Sequence, residues 1–440
     1  MTATVGVVGL GRLGAPLAAA MAAKGVRVIG VDADARKVEA INRGQAPVHE
    51  PGLPELLAQT QGRLTALPQI EPAVGQADLT FIVVATPSEP GGGFSLHFVE
   101  PVCRAIGSAL ASRNDYHVVC LTSTVMPGTT GGRVRALLEE ASGKRCGQDF
   151  GLCYSPEFVA LGSVIHDFLN PDLLLIGESD PRAGDALEAL YQKICDNRPA
   201  VARMNFVNAE VTKLAVNTYV TAKISFANLL ARISERLPGA DVDVITSALG
   251  LDTRIGRKYL KGAVSYGGPC FPRDNLALAE LARRLDVPPD LAQSVDRFNR
   301  FQIHWLADYI LHHAPGTVGI LGLTYKPDTN VVEEAFGSLL AKELAERGAT
   351  VLAYDPSLQE NPACRLDKRI RPAASAQECI AGSDLVVVAT PWPEFCSISP
   401  QQWARPGAPR TVIDCWRVLR RLQHQPGVAY FGLGIGGGLV

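Results

Sequence analysis

The stretch that most restricts the fold of this chain is residues 5–32. Val5-Gly6-Val7-Val8 is a short apolar run of the kind that makes a buried parallel strand, and it leads straight into Gly9-Leu10-Gly11-Arg12-Leu13-Gly14. An alanine-rich helical segment follows over 15–24, then a second strand over 26–31 that ends in Asp32. Strand, glycine turn, helix, strand and acid in that order form the dinucleotide fingerprint in its required context. Gly9 permits the tight turn, Gly11 lets a pyrophosphate reach the backbone at the helix N-terminus, and Gly14 lets the helix pack on the strand. Asp32 is placed to accept from ribose hydroxyls. A carboxylate there repels a 2′-phosphate, so NAD is expected rather than NADP. The candidate cofactor contacts are Gly9, Gly11, Leu13, Gly14, Asp32, Lys37, Thr86, Thr124 and Arg273.

The last third repeats this plan in degraded form. Val318-Gly319-Ile320-Leu321-Gly322 matches the first strand, residues 348–355 match 25–32 and end in Asp355, and residues 383–391 match 77–87. A second open α/β domain is expected from the match. It lacks the third glycine of the fingerprint and carries Tyr325-Lys326-Pro327 instead, so it should bind something other than the dinucleotide, with Lys326 suited to a phosphate. Between the repeats, residues 207–237 form a helical run almost without breakers, the kind that joins domains or makes a dimer seam. Lys213 and Asn217 lie four apart on it and share a face, flanked by Ala209, Thr212 and Val216 rather than by the charges of a wet surface. The expected architecture is α/β: two Rossmann-like domains joined by a central helical domain with a long connecting helix, divided as 1–200, 201–300 and 301–440.

Composition narrows the partners. At 440 residues, with 47% hydrophobic and 20% charged residues, the chain can hold two or three ordered domains. Its 42 basic and 44 acidic residues create no global field for nucleic acid or an anionic membrane, so neither partner is expected and an anionic ligand must be held locally. The 10 cysteines are scattered, with no CxxC pair and no spacing that suits zinc; they read as reduced cytoplasmic thiols, and no metal is expected. The apolar run 5–23 lacks a basic leader and is broken by Gly9, Gly11, Arg12 and Gly14, unlike a signal peptide.

One of those thiols is set apart. In Tyr266-Gly267-Gly268-Pro269-Cys270-Phe271-Pro272-Arg273-Asp274, glycines admit a close approach, a proline stiffens the exit, and a cation that favours thiolate stands three residues on. This stretch is expected to be a loop between a helix starting near 241 and another over 275–285. Two strand ends add candidates. Thr124 lies in Ser123-Thr124-Val125-Met126-Pro127-Gly128, and Glu157 follows a strand in Tyr154-Ser155-Pro156-Glu157-Phe158.

Taken together, the residues resemble the UDP-glucose/GDP-mannose dehydrogenase family over nearly the whole chain. The match rests on GLGRLG with Asp32, PVHEPGL (47–53), STVMPGTT (123–130), SPEF (155–158), KLAVN (213–217), DTRIG (252–256), GGPCFPRD (267–274) and LTYKPDT (323–329). The resemblance implies oxidation of a nucleotide-sugar alcohol at C6 to the uronic acid with two NAD, serving polysaccharide biosynthesis. It implies that Cys270 traps the intermediate aldehyde as a thiohemiacetal and then carries a thioester. Lys213 and Asn217 would steady the oxyanion, Asp274 would manage protons or the hydrolytic water, and Thr124 and Glu157 would position water and assist proton transfer. Glu157, Phe158, Lys213, Arg254, Tyr259, Lys261, Gly267, Lys326 and Arg417 would meet the nucleotide sugar, Arg254 reaching a partner subunit's substrate. A homodimer or higher oligomer built on the long helix is implied too.

The departures from the family pattern gather around sugar and nucleotide rather than around the thiol. Arg273 stands for a common lysine, Ser155 for an asparagine, Thr122 for a lysine, Leu161 for a glutamate and Glu333 for an arginine, while Cys415-Trp416-Arg417 replaces Gly-Arg-Asn. The reaction is therefore expected to be retained and the substrate left open, with UDP-glucose the first expectation and GDP-mannose and UDP-N-acetylhexosamine as alternatives. A two-electron β-hydroxyacid dehydrogenase would share the Lys-x-x-x-Asn pair but needs neither Cys270 nor a third domain. A non-catalytic NAD-binding scaffold would have no reason to keep Cys270, Lys213, Asn217, Asp274 and Glu157 together.

Overall fold

The computed structural model describes residues 3–60, 62–313, 316–358, 367–405 and 407–437; Cys364 lies outside the described residues. The chain falls into two compact units, Met1–Ala215 and Val216–Val440, and the boundary runs through the long helix Phe206–Glu235.

The first unit is built on eight strands: β1 (Thr4–Val8), β2 (Arg27–Val31), β3 (Leu64–Leu67), β4 (Leu79–Ile82), β5 (Val118–Leu121), β6 (Gly151–Tyr154), β7 (Leu173–Glu178) and β8 (Ala200–Met204). Their order is β3-β2-β1-β4-β5-β6-β7-β8, parallel throughout except where β7 runs against β6. Strand order reverses between β1 and β4, which opens a crevice at their C-terminal ends, the usual place for a ligand in an open α/β sheet. The strands are short apolar runs because both faces are covered, by the helices Gly14–Ala23 and Pro181–Ile194 on one side and Val99–Ala111 and Arg135–Ser142 on the other.

The second unit carries six parallel strands: β9 (Thr317–Leu321), β10 (Thr350–Tyr354), β11 (Ile370–Pro372), β12 (Leu385–Val388), β13 (Arg410–Asp414) and β14 (Val428–Gly432), ordered β11-β10-β9-β12-β13-β14. The expected repeat is thus real, with the same reversal beside its first strand. Ahead of it come the helices Val242–Leu249, Phe271–Arg284 and Asp290–His313; Ile303, Leu306, Ala307 and Ile310 of the last pack into the core of the second sheet. No helix among the described residues is long and apolar enough to cross a membrane.

β4 ends at Ile82, because the chain then turns and ties Val84 and Thr86 to the loop after β5. The first sheet runs on past β7 to β8. One expectation needs correcting. The third glycine of the second repeat is present, displaced. A side chain on Gly337 would collide with the carbonyl of Gly322, as one on Gly14 would with that of Gly9, so the same close approach is made after an inserted segment that includes Tyr325-Lys326-Pro327.

Candidate active site

The turn after β1 is shaped for a pyrophosphate. Gly9 sits at φ 103°, where only glycine enters cheaply, and its amide donates to the Val31 carbonyl at 2.7 Å. A methyl on Gly11 would meet nothing within 4 Å, so space is open above the helix N-terminus. That terminus has Leu13 in the N-cap place, no side-chain cap and no acid in its first turn, which leaves its amides to an anion. Just beyond β2, Asp32 accepts from the amides of Leu10 and Asp34 at 2.8 and 2.9 Å and pairs with Lys37 at 3.0 Å. Two carboxylate oxygens with three donors between them keep acceptor capacity for a ribose diol. The residues present fit NAD. The matching Asp355 does not: Oδ2 accepts from the Leu323 and Thr324 amides, the Thr324 hydroxyl and the Trp392 indole, and Oδ1 from the amide and hydroxyl of Ser357. A carboxylate so occupied cannot read a ribose, which fits the expectation that the second sheet serves another ligand.

Across the crevice the ends of β4 and β5 are tied together. The Thr86 hydroxyl donates to the Thr124 carbonyl at 2.7 Å, and the Ser123 hydroxyl to that of Val84 at 2.6 Å. Beyond β6, Lys213 of the long helix donates to the Glu157 carbonyl at 2.6 Å and lies 4.4 Å over the Phe158 ring. The Glu157 carboxylate accepts from the Tyr191 hydroxyl at 3.0 Å, and that hydroxyl is 3.1 Å from Ser155 Oγ. Glu157 keeps part of its surface open yet sits deep in the fold. Loss of bulk water pushes its carboxyl up to about 7, against the opposing effects of the Tyr191 hydrogen bond and the Lys213 charge. A carboxyl poised there can both take and return a proton.

In the second unit Cys270 is exposed and occupies the N-cap of the helix Phe271–Arg284. The helix expected to begin at 275 begins four residues earlier, since Pro272 falls in the first turn, where a missing N–H costs nothing. The thiol therefore stands at a helix N-terminus rather than inside a loop, and the helix dipole adds to Arg273 in favouring negative charge at sulfur. One turn on, buried Asp274 accepts from Asn217 at 2.6 Å, and Arg273 Nε lies 3.6 Å from its other oxygen. The approach to the thiol is gripped by buried amides. Asn228 donates to the Val264 carbonyl and accepts from the Ala263 amide, both at 2.7 Å, while Asn299 accepts from the Tyr266 amide and donates to its carbonyl at 2.8 and 3.0 Å. Gly267 has no room for a side chain because the Glu334 carbonyl lies against it, and Gly268, at φ 81°, donates to the Glu333 carbonyl at 3.0 Å.

The candidate substrate residues of this unit divide. Arg254 is exposed and forks onto its neighbour Asp252. Tyr259 is held at φ 63°, a costly place for a tyrosine, with its ring edge-on to Phe271 at 6.4 Å. Lys261 lies 6.0 Å from the Trp416 ring, and Lys326 6.0 Å from that of Tyr325. Arg417 is a correction. Its guanidinium is buried, forked onto Asp243 at 2.8 Å and donating to the Gly262 and Leu433 carbonyls at 2.7 Å, so it is a strut under the Tyr259 to Gly262 segment and presents nothing to a ligand. Of the departures, Ser155 joins the Tyr191 contact, Thr122 is buried, and Leu161 packs on the first core.

Several residues that shape the site escape sequence reading. Buried Glu210 accepts from the amides of Gly128 and Thr130 at 2.6 and 2.7 Å, pinning the loop after Thr124 to the helix that carries Lys213. Glu50 accepts from Gly162 and Val164 at 2.9 and 2.7 Å and fixes the segment after Glu157. Glu210 could have been found from its place three residues before Lys213, on one helix face; Tyr191 leaves no local signal.

The chain matches three family models in order: the NAD binding domain of the UDP-glucose/GDP-mannose dehydrogenase family over 3–195, its central domain over 207–301 and its UDP binding domain over 319–421. It is 35% identical to the UDP-glucose 6-dehydrogenase AglM of Haloferax volcanii, over 94% of this chain and 97% of that protein. It is also 35% identical to the GDP-mannose 6-dehydrogenase of Pseudomonas aeruginosa, over 81% of each. Among solved structures, a UDP-glucose dehydrogenase from Pyrobaculum islandicum superposes with a TM-score of 0.89 at 33% identity, covering 99% of this chain and 98% of that one.

Proposed function

The chain belongs to the UDP-glucose/GDP-mannose dehydrogenase family, and from that premise we propose that it oxidises C6 of a UDP-hexose, UDP-glucose first, to the uronic acid through a covalent intermediate on Cys270. The observation that carries this reading is the exposed thiol at a helix N-terminus, with Arg273 and the Asn217–Asp274 pair beside it.

NAD, when bound, supplies the hydride acceptor for each of the two oxidations. Cys270 prevents the first product, an aldehyde, from leaving. Its thiolate adds to C6, making a C–S bond and an oxyanion, which the Lys213 ammonium and the Asn217 amide steady. Loss of the second hydride leaves a thioester. Asp274 holds a water against the acyl carbon; water adds, the C–S bond breaks, and the thiolate departs from the carboxylic acid. Thr124 and Glu157 position water and take up protons.

A UDP rather than a GDP ligand is supported by a full-length relative that acts on UDP-glucose and by the matched UDP binding domain; GDP-mannose is the second reading, and a UDP-N-acetylhexosamine the third. The domain division proposed with this function is 1–200, 201–300 and 301–440. Two copies pair through the long helix, which leaves Tyr219, Phe226 and Ile233 exposed on one side. A cytoplasmic setting suits the nine described cysteines, none of them in a disulfide.

The test is NADH yield per sugar across UDP- and GDP-hexoses, for the wild type and Cys270→Ser. Two NADH per substrate, with the serine variant stalled before acid release, is the expected result. One NADH with an unaffected variant overturns the covalent mechanism in favour of a simple dehydrogenase.

A further inference from the structure

We propose that Tyr191 is a positioning residue of the reaction: backed by Ser155, its hydroxyl holds the Glu157 carboxylate in place and sets the pH above which that group can accept a proton. The proposal rests on the reading that Glu157 takes part in proton transfer.

Tyr191 is buried in the helix Pro181–Ile194, its ring edge-on to Phe81 at 6.4 Å and to Phe168 at 6.3 Å. Packed this way the ring cannot swing, so the hydroxyl points one way. Its proton goes to Glu157 Oε1 at 3.0 Å, which leaves its lone pairs to the Ser155 hydroxyl at 3.1 Å. Ser155 is itself fixed, its amide bonded to the Leu121 carbonyl of β5 at 2.9 Å. Serine in this place is one of the departures from the family pattern, and the contact gives it a task.

The groups facing Glu157 come from three elements. The helix Pro181–Ile194 supplies Tyr191 and, at its C-cap, Cys195; β5 supplies Cys120; the long helix supplies Lys213. Burial pushes the Cys195 thiol up to about 11, and raises the Cys120 thiol and the Tyr191 phenol further, so all three keep their protons at working pH. Lys213 is the charged neighbour, and it donates to the Glu157 backbone carbonyl. Tyr191 is therefore a donor that does not titrate with its acceptor. It favours ionised Glu157 equally at every pH, and removing it must raise the pH at which that carboxyl loses its proton.

The experiment is the pH dependence of kcat/KM for wild type, Tyr191→Phe and Ser155→Ala, on the nucleotide sugar that the NADH-yield test selects. Expected is an acid limb displaced upward by about one pH unit in Tyr191→Phe and by less in Ser155→Ala, with activity at alkaline pH within a factor of about three of wild type. An equal loss at every pH with the limb unmoved would mean that the ring only fills space, and would overturn the proposal. A second readout needs no substrate. The Glu157 carboxyl stretch, identified by its loss in Glu157→Gln, is titrated by difference infrared spectroscopy; a midpoint unchanged in Tyr191→Phe overturns the proposal even if that variant is poorly active. An acid limb that persists in Glu157→Gln would sink the reading of Glu157 instead, while the infrared midpoint still judges Tyr191.

Discussion

Glu157 costs the folded protein stability where it is most useful. Its carboxyl is raised from its ordinary 4.5 to about 7, so the folded state binds the proton more tightly than the unfolded chain does. The sign follows: the group is harmless below pH 4.5, becomes progressively destabilising as pH rises toward 7, and exacts its full penalty above that. Allowing for the part of its surface that stays open, the penalty is about 2 kcal/mol. Glu157→Gln is expected to raise Tm by several degrees at pH 8 and by little at pH 4.5. Thermal unfolding at the two pH values checks this; an equal shift at both would mean that charge is not the cause. Arg417 shows the limit of residue-level reading. A surface cation and a buried strut look alike in sequence, and only the carbonyls of Gly262 and Leu433 and the carboxylate of Asp243, none adjacent in the chain, tell them apart.

Elements are legible where a short-range period or a turn residue fixes them. The two β-strands flanking each glycine turn, and the long helix, follow from apolar runs and the absence of breakers. β8 does not, because Ala-Val-Ala-Arg-Met is a half-exposed edge strand with no clean alternation. The second fingerprint looked incomplete because its close-packing glycine had moved, and spacing is all that a motif records. The two kinds of glycine can be separated by experiment. Gly11→Ala enters open space, so Tm should hardly change while NAD affinity falls roughly tenfold or more, the methyl standing where a pyrophosphate must approach. Gly337→Ala meets the Gly322 carbonyl and must move backbone, so Tm should fall by an amount corresponding to about 1 to 3 kcal/mol with NAD affinity intact. Calorimetric titration and thermal melts of both variants check the pair. Loss of NAD binding in Gly337→Ala at a temperature where it is folded would contradict the assignment of the cofactor to the first sheet.

At the scale of the whole molecule, the proposed pairing of two copies rests on the apolar surface that the long helix leaves exposed. Val211, Tyr219, Phe226 and Ile233 recur at helical spacing on one exposed side, with Leu229 between them and Leu237 just beyond the helix end. Val244 and Leu251, on and after the helix Val242–Leu249, are exposed as well. Scattered apolar residues need no explanation, but a continuous stripe of this length is what a partner covers. A second copy is the occupant that symmetry makes available, since a two-fold axis lays the same stripe against itself. Each large side chain so covered contributes about 1 to 2 kcal/mol, enough from both copies to exceed the cost of association. Light scattering should therefore give twice the 46.9 kDa chain mass, and Phe226→Glu, which sets like charges face to face across the axis, should give the single mass. Arg254 extends the argument to activity. It is exposed and bonded within its own turn to Asp252, so if it completes a site on the partner, Phe226→Glu and Arg254→Ala should raise KM for the nucleotide sugar alike, and combining them should add little. A Phe226→Glu chain that stays dimeric would remove the long helix as the seam; one that becomes monomeric with unchanged KM would keep the seam and remove Arg254 from the partner's site.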